Sequence, residues 1–341
     1  MAKLSGREFM QNSLVVDLLG GSLGSVGASP DQPRLYGERL KQAGISVLNI
    51  TLGARLEGIE SFLDEVFQCL CLFREMPQRV MPVLKGDDFP DAKASGRIGV
   101  IMGCQGLDFI GRNTGLITIL AKLGVRIAGL TYNEANAIGC GCMEPTDTGL
   151  SLVGRRVVRD LRSERIALDL SHVGYRTSMQ AIELYGGPAI FTHSNAYGVT
   201  PNPRTIRDDQ IKAAAASGGM VGVSPYAPFC HRQDGRQPTI EDFVDHLAYM
   251  VDLVGIDHVG IGTDLFPHTW VAWENGTRRN YPEMVGSYHW DNVYSDGFTS
   301  HQKFVAVPEA LDRRGYSSED IRKILGENAA RVLTTAWDGS E

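Results

Sequence analysis

Eight short apolar runs recur along the chain with helical segments between them, and few folds can absorb that rhythm. They are LVVDL (14–18), ISVLNI (45–50), IGVIMG (98–103), RIAGLTYN (126–133), IALDLSH (166–172), PAIFTHS (188–194), MVGVSP (220–225) and HVGIGTD (258–264). Near-continuous apolar runs of this length mark strands covered on both faces, as in parallel sheets. The pieces between them, such as LVGRRVVRDLRSE and TIEDFVDHLAYMVDLV, carry apolar residues at helical spacing, with Asp, Glu or Thr near the start of several. Eight such units predict an α/β fold, a (β/α)8 TIM barrel, in which chemistry sits where strands end and the following loops begin. A doubly wound open sheet is the alternative. It is disfavoured because no early strand is followed by a G-x-G-x-x-G loop. The last helical segments, VPEALDRRG and SSEDIRKILGENAARVLTTAW, are expected to close the barrel.

No Pro/Ser-rich linker divides the chain, so residues 1–341 are read as one barrel domain with a long, aromatic-rich insertion at about 265–298. That insertion is expected to cover the barrel mouth or to help an oligomer interface; a homo-oligomer stays open. With 43% hydrophobic residues the chain can bury a large core. Its net charge of -7, with no basic tract, argues against a nucleic-acid partner. The amino terminus has no apolar core of signal-peptide length, and no run is long enough to span a bilayer, so a cytoplasmic protein without membrane partners is expected. Cys69, Cys71, Cys104, Cys140, Cys142 and Cys230 show no C-x-x-C spacing and are read as thiols.

The carboxyl ends of successive strands present Gln105, Tyr132 with Asn133, His172, His193, Ser224 with Tyr226, and Asp264. A lone strand-end histidine is most simply a hydrogen-bonded core residue. Two from neighbouring strands can point together across the mouth, and neutral imidazole is the usual nitrogen ligand for zinc. Asp264, ending a glycine-bracketed strand, suits either a third ligand or a general base.

Several ordered motifs, ALDLSHVG, FTHSNA, NPRTIRDDQI and VGIGTD, with LTYN and GCGCMEPTDTGLSLVGRRVV before them, resemble the membrane (renal-type) dipeptidase family over nearly the whole chain. The resemblance implies a metal-dependent-hydrolase barrel. Usual members hold two zinc ions and hydrolyse dipeptides, including some with a D-residue at the carboxyl end, through a bridging water. It places His172 and His193 as ligands of the second metal, Asp264 as proton shuttle, and Arg204 as the clamp on a substrate carboxylate. The last role suits a guanidinium fork, which offers two parallel donors.

The pattern also breaks. Where usual members carry a His-x-Asp pair on the first strand, VVDLLGG has Leu19 and Gly21, and Gln105 stands in place of the bridging glutamate. An amide is a much poorer ligand than a carboxylate. Tyr132 stands where mammalian members have the histidine that steadies the oxyanion, and a phenol can donate one hydrogen bond there. The expectation is therefore a dipeptidase-like hydrolase acting on an amide of a small carboxylate-bearing substrate, with one zinc per chain on His172 and His193, or none. Asp264 and Tyr132 are its catalytic candidates, and Arg204, Asn133, Tyr226 and His268 its substrate contacts. Gln105, Cys142, Glu144 and Asp17 are weaker candidates, and of these Cys142, Glu144 or Asp17 would be the ones to rebuild a lost ligand. Two alternatives stay open: a repurposed enzyme on the same scaffold, such as a lyase, cyclic-amide hydrolase or tailoring enzyme, and a non-catalytic binder of carboxylated metabolites.

Overall fold

The computed structural model describes residues 6–21, 40–53, 58–232, 234–266, 274–286 and 291–339. Among the described residues are nine parallel strands: β1 (Val16–Asp17), β2 (Val47–Thr51), β3 (Val80–Pro82), β4 (Ile98–Cys104), β5 (Val125–Gly129), β6 (Ala167–Asp169), β7 (Ile190–Phe191), β8 (Met220–Val223) and β9 (Val259–Ile261). Eight of them pair in the order β1-β2-β4-β5-β6-β7-β8-β9, and each falls on one of the eight runs read from the sequence. The ring is a (β/α)8 barrel. Its last seam is closed by Leu18 N–H donating to the Ile261 carbonyl at 3.0 Å and Asp264 N–H to the Leu19 carbonyl at 2.8 Å.

The strand missing from the sequence reading is β3. It pairs with the first half of β4, Val80 opposite Ile98 and Pro82 opposite Val100, before β5 takes over that edge from Met102 onward. Three residues, the last a proline, carry too little period-2 signal to separate from a loop.

Alternation along the strands sorts side chains into two layers. Val16, Leu18, Val47, Ile101, Ile127, Ala167, Ile190 and Met220 fill the barrel interior. The intervening Leu48, Ile50, Val100 and Leu168 face the surrounding helices. The final helix, Asn328–Asp338, joins the inner cluster through Ala329, Val332, Leu333, Ala336 and Trp337. Trp337 stacks on Phe89 and donates its indole N–H to the Arg126 carbonyl at 2.9 Å, which places the helix under the strands' amino ends. One end of the barrel is thus plugged with apolar side chains. Polar groups gather at the other.

The helix opening at Ser318 is capped by Ser317, whose hydroxyl accepts from Asp320 N–H while Asp320 reaches back. All six cysteines are free. Among the described residues no helix is long and apolar enough to cross a membrane.

Candidate functional site

Asp169, at the end of β6, is buried and ties β6 to β7. Its Oδ1 accepts from Ser171 N–H and Thr192 N–H, both at 3.0 Å, and from the Ser171 hydroxyl at 2.6 Å. The Thr192 hydroxyl donates to Oδ2 at 2.7 Å. With its only proton spent there, Thr192 Oγ1 accepts from His193 Nδ1, 2.7 Å away. His193 is therefore held as the Nδ1–H tautomer with a bare Nε2 lone pair turned to the mouth.

That lone pair meets two neighbours. Arg204 Nη2 lies 2.8 Å from it, and His172 Nε2 lies 3.0 Å from it. Arg204 also donates from Nε to His172 Nδ1 at 3.2 Å, from Nη1 to the Ser194 hydroxyl at 3.2 Å, and from Nη2 to the His193 carbonyl at 3.3 Å. Asn133 Oδ1 stands 2.7 Å from His172 Nδ1. Because His172 Nδ1 accepts from Arg204 Nε, its proton sits on Nε2, which bonds the two rings, and Asn133 must turn its amide to present its N–H₂ to Nδ1. Both rings are then neutral. Burial first, then the Arg204 charge, holds both histidines well below the ordinary imidazole range.

Arg204 is the unusual member. It is 2% exposed, its guanidinium stands 5.3 Å from the centre of the Phe229 ring, and its hydrogen-bond acceptors are all uncharged. Among the described residues it forms no ion pair. A buried cation without a counter-ion is costly unless an anion joins it. The loop that carries it is pinned from behind. Asn202 Oδ1 accepts from Arg204 N–H at 3.0 Å, and buried His246 takes Ala196 N–H at 3.1 Å and contacts the Thr200 hydroxyl at 3.1 Å. His246 is thus a structural residue, its pKa lowered to about 3 by burial.

Asp264 sits just past β9 in the left-handed region, at φ 54, which an aspartate tolerates better than most residues. Burial raises its carboxyl pKa to about 7; Arg204 pulls it down and Asp17 pushes it up. Tyr294, from the 265–298 insertion, donates its hydroxyl to the Asp264 carbonyl at 2.7 Å and so ties that segment to the mouth. Tyr132 is half-buried and stacks on His172, ring centres 4.1 Å apart. Tyr226 packs edge-on against Phe229 and so backs the ring beneath Arg204.

The weaker candidates divide. The Cys142 thiol lies 3.6 Å from Asn133 Oδ1, and burial pushes its pKa up to about 11, so it is a protonated neighbour of the histidine pair. Glu144 turns aside to accept from Ala135 N–H at 2.7 Å. Asp17 repeats the Asp169 device at the closing seam: it accepts Thr263 N–H at 2.9 Å and the Thr263 hydroxyl at 2.6 Å, and His301 Nε2 stands at 3.0 Å. Gln105 is buried at the end of β4. His268 lies outside the described residues. Asp169, Thr192 and Ser194 are not among the candidates drawn from the sequence, although Asp169 lies three residues before His172 and the other two flank His193.

Two ligands on one tetrahedral zinc, at about 2.0–2.1 Å each, stand roughly 3.3 Å apart. The two Nε2 atoms nearly match that span. The rest of the donor set does not fit, because a catalytic zinc needs a third protein ligand and the lone pair of His193 already faces a guanidinium. Among the described residues no group of three or more His, Cys, Asp or Glu side chains is placed to hold a metal ion.

Comparison with known proteins agrees with this architecture. The family model described as "Membrane dipeptidase (Peptidase family M19)" matches residues 28–287. Dipeptidase tcpJ of Claviceps purpurea is 29% identical over 256 residues, 74% of this chain and 55% of that relative. An uncharacterized dipeptidase of Schizosaccharomyces pombe is 32% identical over 244 residues, 70% of this chain and 53% of the relative. The chain therefore spans about half the length of these two relatives. Among solved structures, an amidohydrolase from Pseudomonas aeruginosa superposes with a TM-score of 0.87 at 30% identity, covering 98% of this chain and 100% of the other.

Proposed function

Since the chain belongs to the membrane dipeptidase family, we propose that it is an amide-bond hydrolase acting on a small substrate that carries a carboxylate, a dipeptide or an amino-acid derivative. The observation that carries this reading is the buried, unneutralised Arg204 at the barrel mouth. A substrate carboxylate supplies the missing negative charge and can take two parallel N–H donors. Asp264, with a pKa near 7, is ionised in a substantial fraction of molecules at neutral pH and suits transfer of a proton from water to the leaving amine. Tyr132, beside His172, offers a hydroxyl donor to the developing oxyanion.

The test is a panel of dipeptides and their carboxyl-terminal amides, with product formation followed by mass spectrometry. Cleavage confined to the free acids supports the reading, and equal cleavage of acids and amides contradicts it. Two competing readings each have an observation in their favour. The near-ligand span of His172 and His193 favours a single zinc held there, which requires Arg204 to withdraw. Leu19, Gly21 and Gln105 at the positions of lost ligands favour a repurposed proton-transfer enzyme, a lyase or cyclic-amide hydrolase, built on Asp264.

A further inference from the structure

The helix Ile59–Glu75, which joins β2 to β3, carries two apolar stripes where a barrel helix needs one. Phe62, Val66 and Cys69 recur at helical spacing and are buried, and Phe62 stacks on Phe109 with ring centres 4.3 Å apart. That stripe holds the helix to the barrel. Leu63, Phe67 and Leu70 repeat the same spacing one residue further round, and they are 43%, 62% and 43% exposed. They are three of the six large apolar side chains exposed among the described residues. Single exposed leucines are ordinary, but half of the exposed set gathered on one helix face marks a surface built to be covered.

The charges at the two ends of the stripe say what covers it. Glu60, Leu63, Phe67, Leu70 and Arg74 follow the alternating three- and four-residue steps of a helix seam. Glu60 stands seven residues before Phe67 and Arg74 seven residues after it, each about two helical turns away on the same face. Opposite charges thus lie at equal distances from a central phenylalanine. Such a stripe is complementary to itself turned end for end. A two-fold axis at Phe67 sets Phe67 against its own copy, Leu63 against Leu70 and Cys71, and Glu60 against Arg74, the last pair occurring twice. A parallel arrangement would instead set Glu60 on Glu60 and Arg74 on Arg74. Both charged groups are exposed and available: among the described residues Glu60 forms no ion pair, and Arg74 reaches its neighbour Glu75 at 3.2 Å on the open surface, a contact worth little.

We infer that the helix Ile59–Glu75 is the contact face of a homodimer, in which two copies pack this helix antiparallel across a two-fold axis at Phe67. The occupant is a second copy of the chain because the stripe's own ends supply the complementary charges. One helix from each subunit lies at the low end of specific interfaces, about 1,200 Å² in total, so the dimer forms and dissociates in the micromolar range. The inference is independent of the chemistry at the barrel mouth.

Sedimentation velocity of the intact chain from about 1 to 100 μM tests it, alongside Phe67→Glu, Glu60→Arg, Arg74→Glu and the double variant Glu60→Arg/Arg74→Glu. All three positions are exposed, so each variant should fold, which circular dichroism checks. The intact chain should pass from monomer to dimer across this range. Phe67→Glu sets two carboxylates against each other on the axis and should leave a monomer throughout. Glu60→Arg or Arg74→Glu alone turns both attractive pairs into like-charge pairs and should weaken the dimer about tenfold; the double variant should restore it to within about twofold. An intact chain that stays monomeric would overturn the inference, as would a dimer indifferent to Phe67→Glu, which would place the interface elsewhere, such as the 265–298 insertion. Single charge variants that leave the dimer unchanged, or a double variant that fails to recover it, would overturn the antiparallel pairing and the inference with it.

Discussion

The two flanks of the barrel mouth are built on opposite principles. On the β6–β7 flank, among the described residues, the buried side-chain polar atoms are partnered: Asp169 holds Ser171 and Thr192, Thr192 fixes His193, and His193 meets Arg204 and His172. On the β2–β4 flank, Asn49 and Thr51 are as deeply buried but leave acceptor atoms unpartnered. A network satisfied throughout fixes geometry, and buried groups left unsatisfied cost stability. What the first flank lacks is an anion.

The largest effect is expected at the cation. Arg204→Met should weaken a dipeptide carboxylate by about a hundredfold, as loss of a charge-assisted bidentate contact does, with a much smaller effect on the carboxyl-terminal amide. An equal loss for both ligands would mean that Arg204 holds the fold of the mouth and no carboxylate.

Next comes Asp264, through pH. An unfolded aspartate titrates near 3.9, and this one is raised to about 7, so the folded chain binds the extra proton between those values. Stability from this group is therefore full below about pH 4 and declines as pH rises toward 7. Thermal melts from pH 4 to 8 should show that decline, and Asp264→Asn should remove it. The ionised form is the base, so turnover should climb through about pH 7 in the intact chain and collapse in the variant. A melting profile identical in the two chains would contradict the burial argument.

Two threonines then compare the flanks directly. Thr192→Val orphans Asp169 Oδ2 and His193 Nδ1 together and should cost about 1–3 kcal/mol in urea unfolding. Thr51→Val removes a hydroxyl that has no hydrogen-bond partner among the described residues and should shift stability by less than about 0.5 kcal/mol. If the two variants cost the same, the contrast between the flanks is lost.

Much of this was legible in the sequence, and the reasons differ by residue. The eight barrel strands could be read because each is buried on both faces and so nearly all apolar. His172, His193 and Arg204 could be placed from ordered motifs, and the structure brings their side chains within hydrogen-bonding distance. Strand β3 was missed because three residues ending in proline resemble a loop. Thr192 was missed because threonine is common in strands and only the fold puts it between a carboxylate and an imidazole. Asn49 and Thr51 had a signal in LNIT, two polar residues spaced by two inside an apolar strand. The guanidinium at the histidine pair could not have been foreseen, since Arg204 is 32 residues from His172 and its reach depends on the His246-pinned loop.

In this site a guanidinium, and not a metal ion, stands against both imidazoles. Zinc content per chain tests it most directly, measured by plasma mass spectrometry after exposure to excess zinc and desalting, for the intact chain and for His172→Ala. Far less than one equivalent is expected in both, because the lone pair of His193 faces Arg204 and the described residues place no third ligand beside it. One equivalent retained by the intact chain and lost from His172→Ala would contradict it, since zinc can take both Nε2 atoms only after Arg204 has left.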